Sequence, residues 1–270
     1  MSIVASLPEN MPEATATRLI GLGIAPMNGL DEALSAIAAA AWLGRPHTSA
    51  EPVLLPGTPA KPELLTEAQA KAALVAFGVD VPNSHRAAGT GEVADLAGRI
   101  GYPVVLKGEG PAHKTEAGAV AINLGSASQV TEAARKMPCE GFLVEEMISG
   151  SVAELLIGVL RDPAHGFVLT LAAGGTLTEI LRDSASLLIP ASADHIRAAL
   201  GSLRIAPLLS GYRSAEAADT DAIVSAVLSV QAFVVAHDTR IEEVEINPLI
   251  CTATRAVAAD ALIRIGEADE

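Results

Sequence analysis

Aromatic side chains are scarce in this chain, making up 3% of its 270 residues. Half of the sequence is hydrophobic nonetheless, so Ala, Leu, Val and Ile must fill an ample core. Cysteine is nearly missing too. Cys139 and Cys251 are too few for a disulfide framework and lack metal-site spacing, which makes a reducing cytoplasm the default and small buried hydrophobe the expected role of both. Positive charge is short, with 18 Lys and Arg against 32 Asp and Glu and a formal charge of -14. That balance argues against a nucleic acid or an anionic membrane as the main partner. Any phosphate ligand must be met by local positive charge or by Mg²⁺. Long apolar runs are absent: the longest, Ala36 to Leu43, is far below membrane-spanning length, and the N-terminus shows no basic region leading into an apolar core. The chain reads as soluble, with one large or two modest domains.

The first segment reads as helix, strand and helix. Pro12 to Leu22 and Asp31 to Leu43 carry apolar residues at helical spacing, and GIAPMNGL between them suits a short strand and turn. Such a fragment is too small to bury both faces of a sheet and is expected to belong to a larger α/β unit. From residue 45 to 63 repeated prolines deny a helix, marking a linker between residues 1–44 and a second domain over 64–270. There TEAQAKAALVAFG predicts a helix with Thr66 as N-cap and Gly78 closing it. Helix and strand then alternate to the end, with helices over Gly91–Ile100, Ala193–Leu203 and Asp219–Ala236.

The stretch RIEEVEINPL, Arg240 to Leu249, concentrates the chemistry. As a strand it sends Glu243, Glu245 and Asn247 from one face before Pro248 stops it. Carboxylates and a carboxamide oxygen converging there suit Mg²⁺, and Asp260 could add a ligand from a neighbouring strand. An edge strand with a solvated acidic face is the bland alternative. Upstream, GYPVVLKGEGPAHKTEAGAV ends an apolar strand in Lys107 beside a glycine turn and a polar loop containing His113. That lysine either meets a nucleotide phosphate or snorkels from an ordinary hairpin. The segment from Val144 through Glu145 and Glu146 to Met147 is either a hinge for an adenine edge or a strand that merely ends in charge. VAELLIGVLRD predicts a strand carrying Glu154 inward, where a carboxylate needs a partner or ligand. Gly174 and Gly175 permit a bulge or a close backbone approach.

Together, LTEAQAKAALVAFGVDVP, GYPVVLK, HKTEAGAV, GFLVEEMISG, VAELLIGVLRDPAHG, AAGGTLTEILRD, LLSGYR and VEINPLI with Asp260 resemble the ATP-grasp domain of nucleoside-diphosphate-forming acyl-CoA synthetases, the acetate and succinate CoA ligase superfamily. The order of these stretches, more than any one of them, carries the resemblance. It implies an α/β (α+β) ATP-grasp fold, preceded by a fragment similar to the end of the flavodoxin-like CoA-ligase domain of fused members. It further implies an acid-thiol ligase that uses ATP or ADP and Mg²⁺. Lys107 would contact phosphates, Val144, Glu145, Glu146 and Met147 would hold adenine, and Glu154 and Arg213 would serve the nucleotide or phosphate region. Asn247 and Asp260 would bind Mg²⁺, Glu245 would face a phosphorylated histidine, and His113 matches a second phosphohistidine position. Ala119 stands where the family usually has glycine after that histidine motif. The first histidine would come from a CoA-binding subunit or domain, in a cytoplasmic oligomer. A scaffolding subunit that binds nucleotide without catalysis is the alternative.

Overall fold

The computed structural model describes residues 2–44, 54, 56–57, 60–109, 118–175, 183–213 and 215–267. The chain divides into two compact units, Met1–Ala50 and Glu51–Glu270.

In the first unit, β1 (Ser2–Ala5) pairs in parallel with β2 (Ala25–Asn28), and α1 (Glu13–Gly21) forms the crossover between them. A second helix, α2 (Leu30–Leu43), follows. The sequence reading lacked β1, whose four residues are too short for a clear alternation. Ala5, Met11 and Ala33 are buried, yet Ile20, Leu22, Ile37 and Trp42 stay exposed. Two strands and two helices give this unit too little interior to cover its own apolar side chains.

The second unit holds two antiparallel sheets. Its first elements are β3 (Glu63–Leu64), α3 (Glu67–Val75), β4 (Ser84–Ala87), α4 (Val93–Ile100), β5 (Val104–Gly108), β6 (Val120–Leu124), α5 (Ala127–Lys136) and β7 (Phe142–Glu146). Then come β8 (Ala153–Asp162), β9 (Gly166–Ala173), β10 (Ser184–Leu188), α6 (Ala193–Ser202), α7 (Ala206–Leu209) and α8 (Thr220–Ala236). The chain closes with β11 (Ile241–Cys251), β12 (Ala256–Ala258) and β13 (Ala261–Ile265).

The smaller sheet runs β4-β7-β5-β6. Val93 and Ala97 of α4 and Val130 and Ala134 of α5 cover it, closing a core over Leu106, Phe142 and Val144. Sequence reading passed over α5, although Ser126 caps it by accepting from the Gln129 N–H at 3.4 Å. The larger sheet runs β10-β9-β8-β11-β13-β3, with β12 paired to β11. Its core gathers Leu155, Ile157, Phe167, Leu169, Val244 and Ile246 against α6 and α8. Each such fully buried side chain contributes about 1.5–3 kcal/mol of transfer free energy, so aliphatic residues carry this core with only two phenylalanines, Phe167 and Phe233, among its buried members. Asp219 fixes the start of α8 by accepting from the Ala222 N–H at 2.9 Å.

One helix belongs to neither layer alone. Thr66 caps α3 in a reciprocal box, its backbone N–H donating to Gln69 Oε1 at 3.0 Å and its hydroxyl accepting from the Gln69 N–H at 3.3 Å. Leu74 and Ala70 enter the larger core. Glu67 and Lys71, one turn apart on that same buried stripe, reach the smaller sheet instead.

Candidate functional site

β11 departs from the expected strand in one respect: it does not stop at Pro248 but runs to Cys251. An irregularity between Ile246 and Leu249 in its pairing with β8 accommodates a residue that has no N–H to give to the ladder. Before that irregularity the alternation holds. Val244 and Ile246 are buried, while Glu243, Glu245 and Asn247 lie half-buried on the opposite face.

β13 brings Asp260 to Asn247. Ile246 lies opposite Ala261, and the Asn247 N–H donates to the Asp260 carbonyl at 3.3 Å. The Asn247 carboxamide Oδ1 accepts from the Gly175 N–H at 3.4 Å. Burial pushes the Glu245 carboxyl above its ordinary value; the Asn247 hydrogen bond pulls it back, and the charges of Glu243 and Asp260 add to the rise. Glu243 lies near Arg264, 3.6 Å from its guanidinium nitrogen.

The glycine pair explains how β9 approaches so closely. A Cβ on Gly174 would meet Leu155 backbone atoms at 2.6–2.9 Å, and a Cβ on Gly175, at φ +72°, would strike the Glu154 carboxylate. Glu154 itself corrects an expectation. It is exposed, not inward, because β8 alternates and Leu155, Ile157 and Val159 take the buried face. Its carbonyl accepts from the Gly174 N–H at 2.8 Å.

Lys107 is the penultimate residue of β5 and is buried. Its ammonium lies 2.7 Å from Glu67 Oε1, 3.0 Å from Glu145 Oε2 and 2.6 Å from the Ala259 carbonyl, the residue before Asp260. Lys71 closes a ring, 2.7 Å from Glu67 and 2.6 Å from Glu145. Burial works against the Lys107 charge, but Glu145, Glu67 and Asp260 outweigh it and hold the pKa above the ordinary lysine value. The ring joins α3 to neighbouring strands of the smaller sheet, since Lys107 lies opposite Leu143 in the β5–β7 register. The Ala259 contact ties both to the larger sheet.

These contacts sort the sequence-derived candidates. Lys107, Asn247, Asp260 and Glu245 come to adjoining parts of the sheets. Val144 is buried in β7, Glu145 has its carboxylate committed to the two lysines, and Glu146 lies 3.2 Å from Arg255. Met147 follows the strand, its N–H donating to the Pro103 carbonyl at 3.2 Å. Arg213 is exposed, its guanidinium 5.2 Å from the centre of the Tyr212 ring. His113 lies outside the described residues. Among the described residues, no three His, Cys, Asp or Glu side chains form a metal cluster. The oxygen pair Asn247 and Asp260 still fits a hard cation that takes its remaining ligands from phosphate and water. Sequence reading missed Glu67 and Lys71, whose sign was their place on the stripe of Ala70 and Leu74.

Residues 58–265 match the ATP-grasp domain family. The chain belongs to that family. It is 32% identical over 274 residues to a trans-feruloyl-CoA synthase from an unknown prokaryotic organism, a match covering 94% of this chain and 38% of that protein. It is also 32% identical to the beta subunit of the ADP-forming acetate–CoA ligase II of Pyrococcus furiosus, over 74% of this chain and 90% of that subunit. This ATP-grasp chain thus spans well under half of the synthase and nearly all of the subunit's length. Among solved structures it is similar to dinucleotide forming acetyl-coenzyme A synthetase 1 of Ca. Korarchaeum cryptofilum in complex with coenzyme A, Ca-AMPCP and HgCl⁺, with TM-score 0.70 and 28% identity over 86% of this chain and 98% of that one. A second structure of that enzyme, with coenzyme A and Mg-AMPPCP and its phosphohistidine segment pointing towards the nucleotide binding site, matches with TM-score 0.66 and 30% identity over 75% and 92% of the two chains. The likeness places both sheets in an ATP-grasp fold. Among the described residues no helix is long and apolar enough to cross a membrane.

Proposed function

We propose that this chain is the nucleotide-binding, Mg²⁺-dependent phosphoryl-transfer unit of an ADP-forming acyl-CoA synthetase. One observation carries the reading: the Lys107 ammonium rests on the Ala259 carbonyl, beside the Asp260 that β13 sets against Asn247. A buried cation and a pair of hard oxygen donors therefore adjoin, the two kinds of group that a triphosphate and its metal require. Lys107 would take phosphate oxygens, and Asn247 and Asp260 would hold Mg²⁺, which when bound supplies charge neutralisation on the phosphates. The backbone from Val144 to Met147 would receive adenine. Glu154 and Arg213 are assigned to the nucleotide or phosphate region. Glu245, beside Asn247 on the same strand face, would orient an incoming histidine, and His113 would serve as a second phosphate carrier.

That first histidine must come from elsewhere. Residues 1–44 are read as the end of a CoA-ligase domain, 45–63 as a linker and 64–270 as the ATP-grasp domain. The exposed Ile20, Leu22, Ile37 and Trp42 support a further domain or a CoA-binding subunit covering the first unit. Assembly into an oligomer in the cytoplasm fits this reading, as do two cysteines that remain free thiols. Calorimetric titration with Mg-ATP and Mg-ADP tests the core of the proposal: binding is expected, and no nucleotide affinity in the presence of Mg²⁺ refutes it. CoA thioester formation is expected only after a CoA-binding partner is added, and turnover by this chain alone would refute the division of labour. The alternative, a nucleotide-binding scaffold without catalysis, predicts that Asn247→Ala leaves a reconstituted complex fully active.

A further inference from the structure

The Lys107 ammonium donates to Glu67 Oε1 at 2.7 Å and to the Ala259 carbonyl at 2.6 Å, and it lies 3.0 Å from Glu145 Oε2. An ammonium has three protons and these partners crowd it, so a phosphate oxygen has to compete with them. Whichever carboxylate is released stays in a buried site, where an unpaired charge is costly. Lys71 removes that difficulty. Its ammonium lies 2.7 Å from Glu67 and 2.6 Å from Glu145, with a side chain only 4% exposed, so both carboxylates keep a cation when Lys107 turns away.

From this ring we infer that Glu67 and Lys71 are positioning residues that set the phosphate affinity of Lys107 by competing for its protons. Glu67 holds Lys107 back, and Lys71 weakens that hold by sharing the two carboxylates. The ring is formally neutral, two lysines against two glutamates, so removing a charge from either member shifts it in a defined direction. The inference rests on the nucleotide reading of Lys107 and gives roles to two residues of α3 that no part of that reading uses.

The test compares affinities of the full chain for ATP and for adenosine, which shares the base and ribose but lacks phosphate. Glu67→Gln keeps the side-chain shape and leaves the ring with net positive charge; ATP affinity is expected to rise by about threefold to tenfold while adenosine affinity stays unchanged. Lys71→Met takes one cation away from the two carboxylates, so they hold Lys107 more strongly; ATP affinity is expected to fall about tenfold or more, again with adenosine unaffected. Lys71→Arg keeps the charge and is expected to bind ATP within about threefold of the native chain. A purely structural ring predicts losses for both ligands in both charge-changing variants. Effects of the same sign in Glu67→Gln and Lys71→Met, or no change in either, overturn the inference. Should Lys71→Met fail to fold, Glu67→Gln decides alone: unchanged or weakened ATP binding overturns the competition. If the native chain binds neither ATP nor adenosine, the nucleotide reading itself is what fails.

Discussion

Two gatherings of carboxylates among the described residues of the second unit are held in opposite ways. Around Lys107, Glu67 and Glu145 are buried and each touches two ammonium groups. On the face of β11, Glu243, Glu245 and Asn247 are half-buried beside Asp260, and Arg264 lies 3.6 Å from Glu243. The first gathering is compensated within the protein, at the cost of desolvating four charges. The second leaves Glu245 with a raised pKa and acidic neighbours, a negative field that favours an added cation. Compensation suits a group that must be held still until a ligand arrives. An acidic field such as that around Glu245 suits a site that receives a cation with its ligand.

The sharpest way to break this comparison is to remove a donor from each gathering. Asn247→Ala is expected to lower phosphoryl transfer in a complex reconstituted with a CoA-binding partner by about a hundredfold or more, with little change in thermal stability. Glu145→Ala should do the reverse in stability terms, costing about 3–5 kcal/mol in denaturant unfolding because two buried ammonium groups lose a partner. An equal cost from Glu243→Ala would erase the distinction; its half-exposed contact at 3.6 Å predicts a change within about 0.5 kcal/mol.

Proton titration gives a subtler test. Because its carboxylate partners hold Lys107 above the ordinary lysine pKa, its contribution is fully present below the unfolded-state value and is lost only as pH rises through the higher folded value. Mg-ATP affinity should therefore show no loss attributable to Lys107 from neutral pH up to about pH 10. A decline beginning at or below the ordinary lysine pKa, absent in Lys107→Met, would mean that the ring does not stabilise the charge. The smallest effect is expected at the β8–β9 turn. Asp162 is held below the usual carboxylate range by the Ala164 N–H and by the side chain and N–H of His165. Its support is present above the unfolded carboxylate value and fades as pH falls through the lowered one, so Asp162→Asn and the native chain should converge in acid unfolding.

How visible each gathering is in the sequence follows from the same contrast. The β11 face shows itself because strand alternation has period two, which by itself puts Glu243, Glu245 and Asn247 on a common side. The irregularity that carries the strand past Pro248 depends on pairing with β8, and no local pattern in RIEEVEINPL specifies it. The lysine ring is hidden for another reason. Glu67 and Lys71, four residues apart, look like an exposed helix pair. Only the packing of Ala70 and Leu74 on the same stripe turns both charges inward. Glu154 misled in the opposite sense, since apolar neighbours on both sides suggested burial where alternation along β8 exposes it. The ATP-grasp order of motifs was legible throughout, because a family resemblance sums many weak local matches into one arrangement.

The central claim is that Lys107 and the Asn247–Asp260 pair form one site for a metal-bound nucleotide. Calorimetric titration of the native chain and of Asp260→Asn with ATP, each with and without Mg²⁺, tests it most directly. The account predicts Mg²⁺-enhanced binding in the native chain and loss of that enhancement in the variant. Equal Mg²⁺ dependence in both, or no nucleotide binding by the native chain, would contradict it.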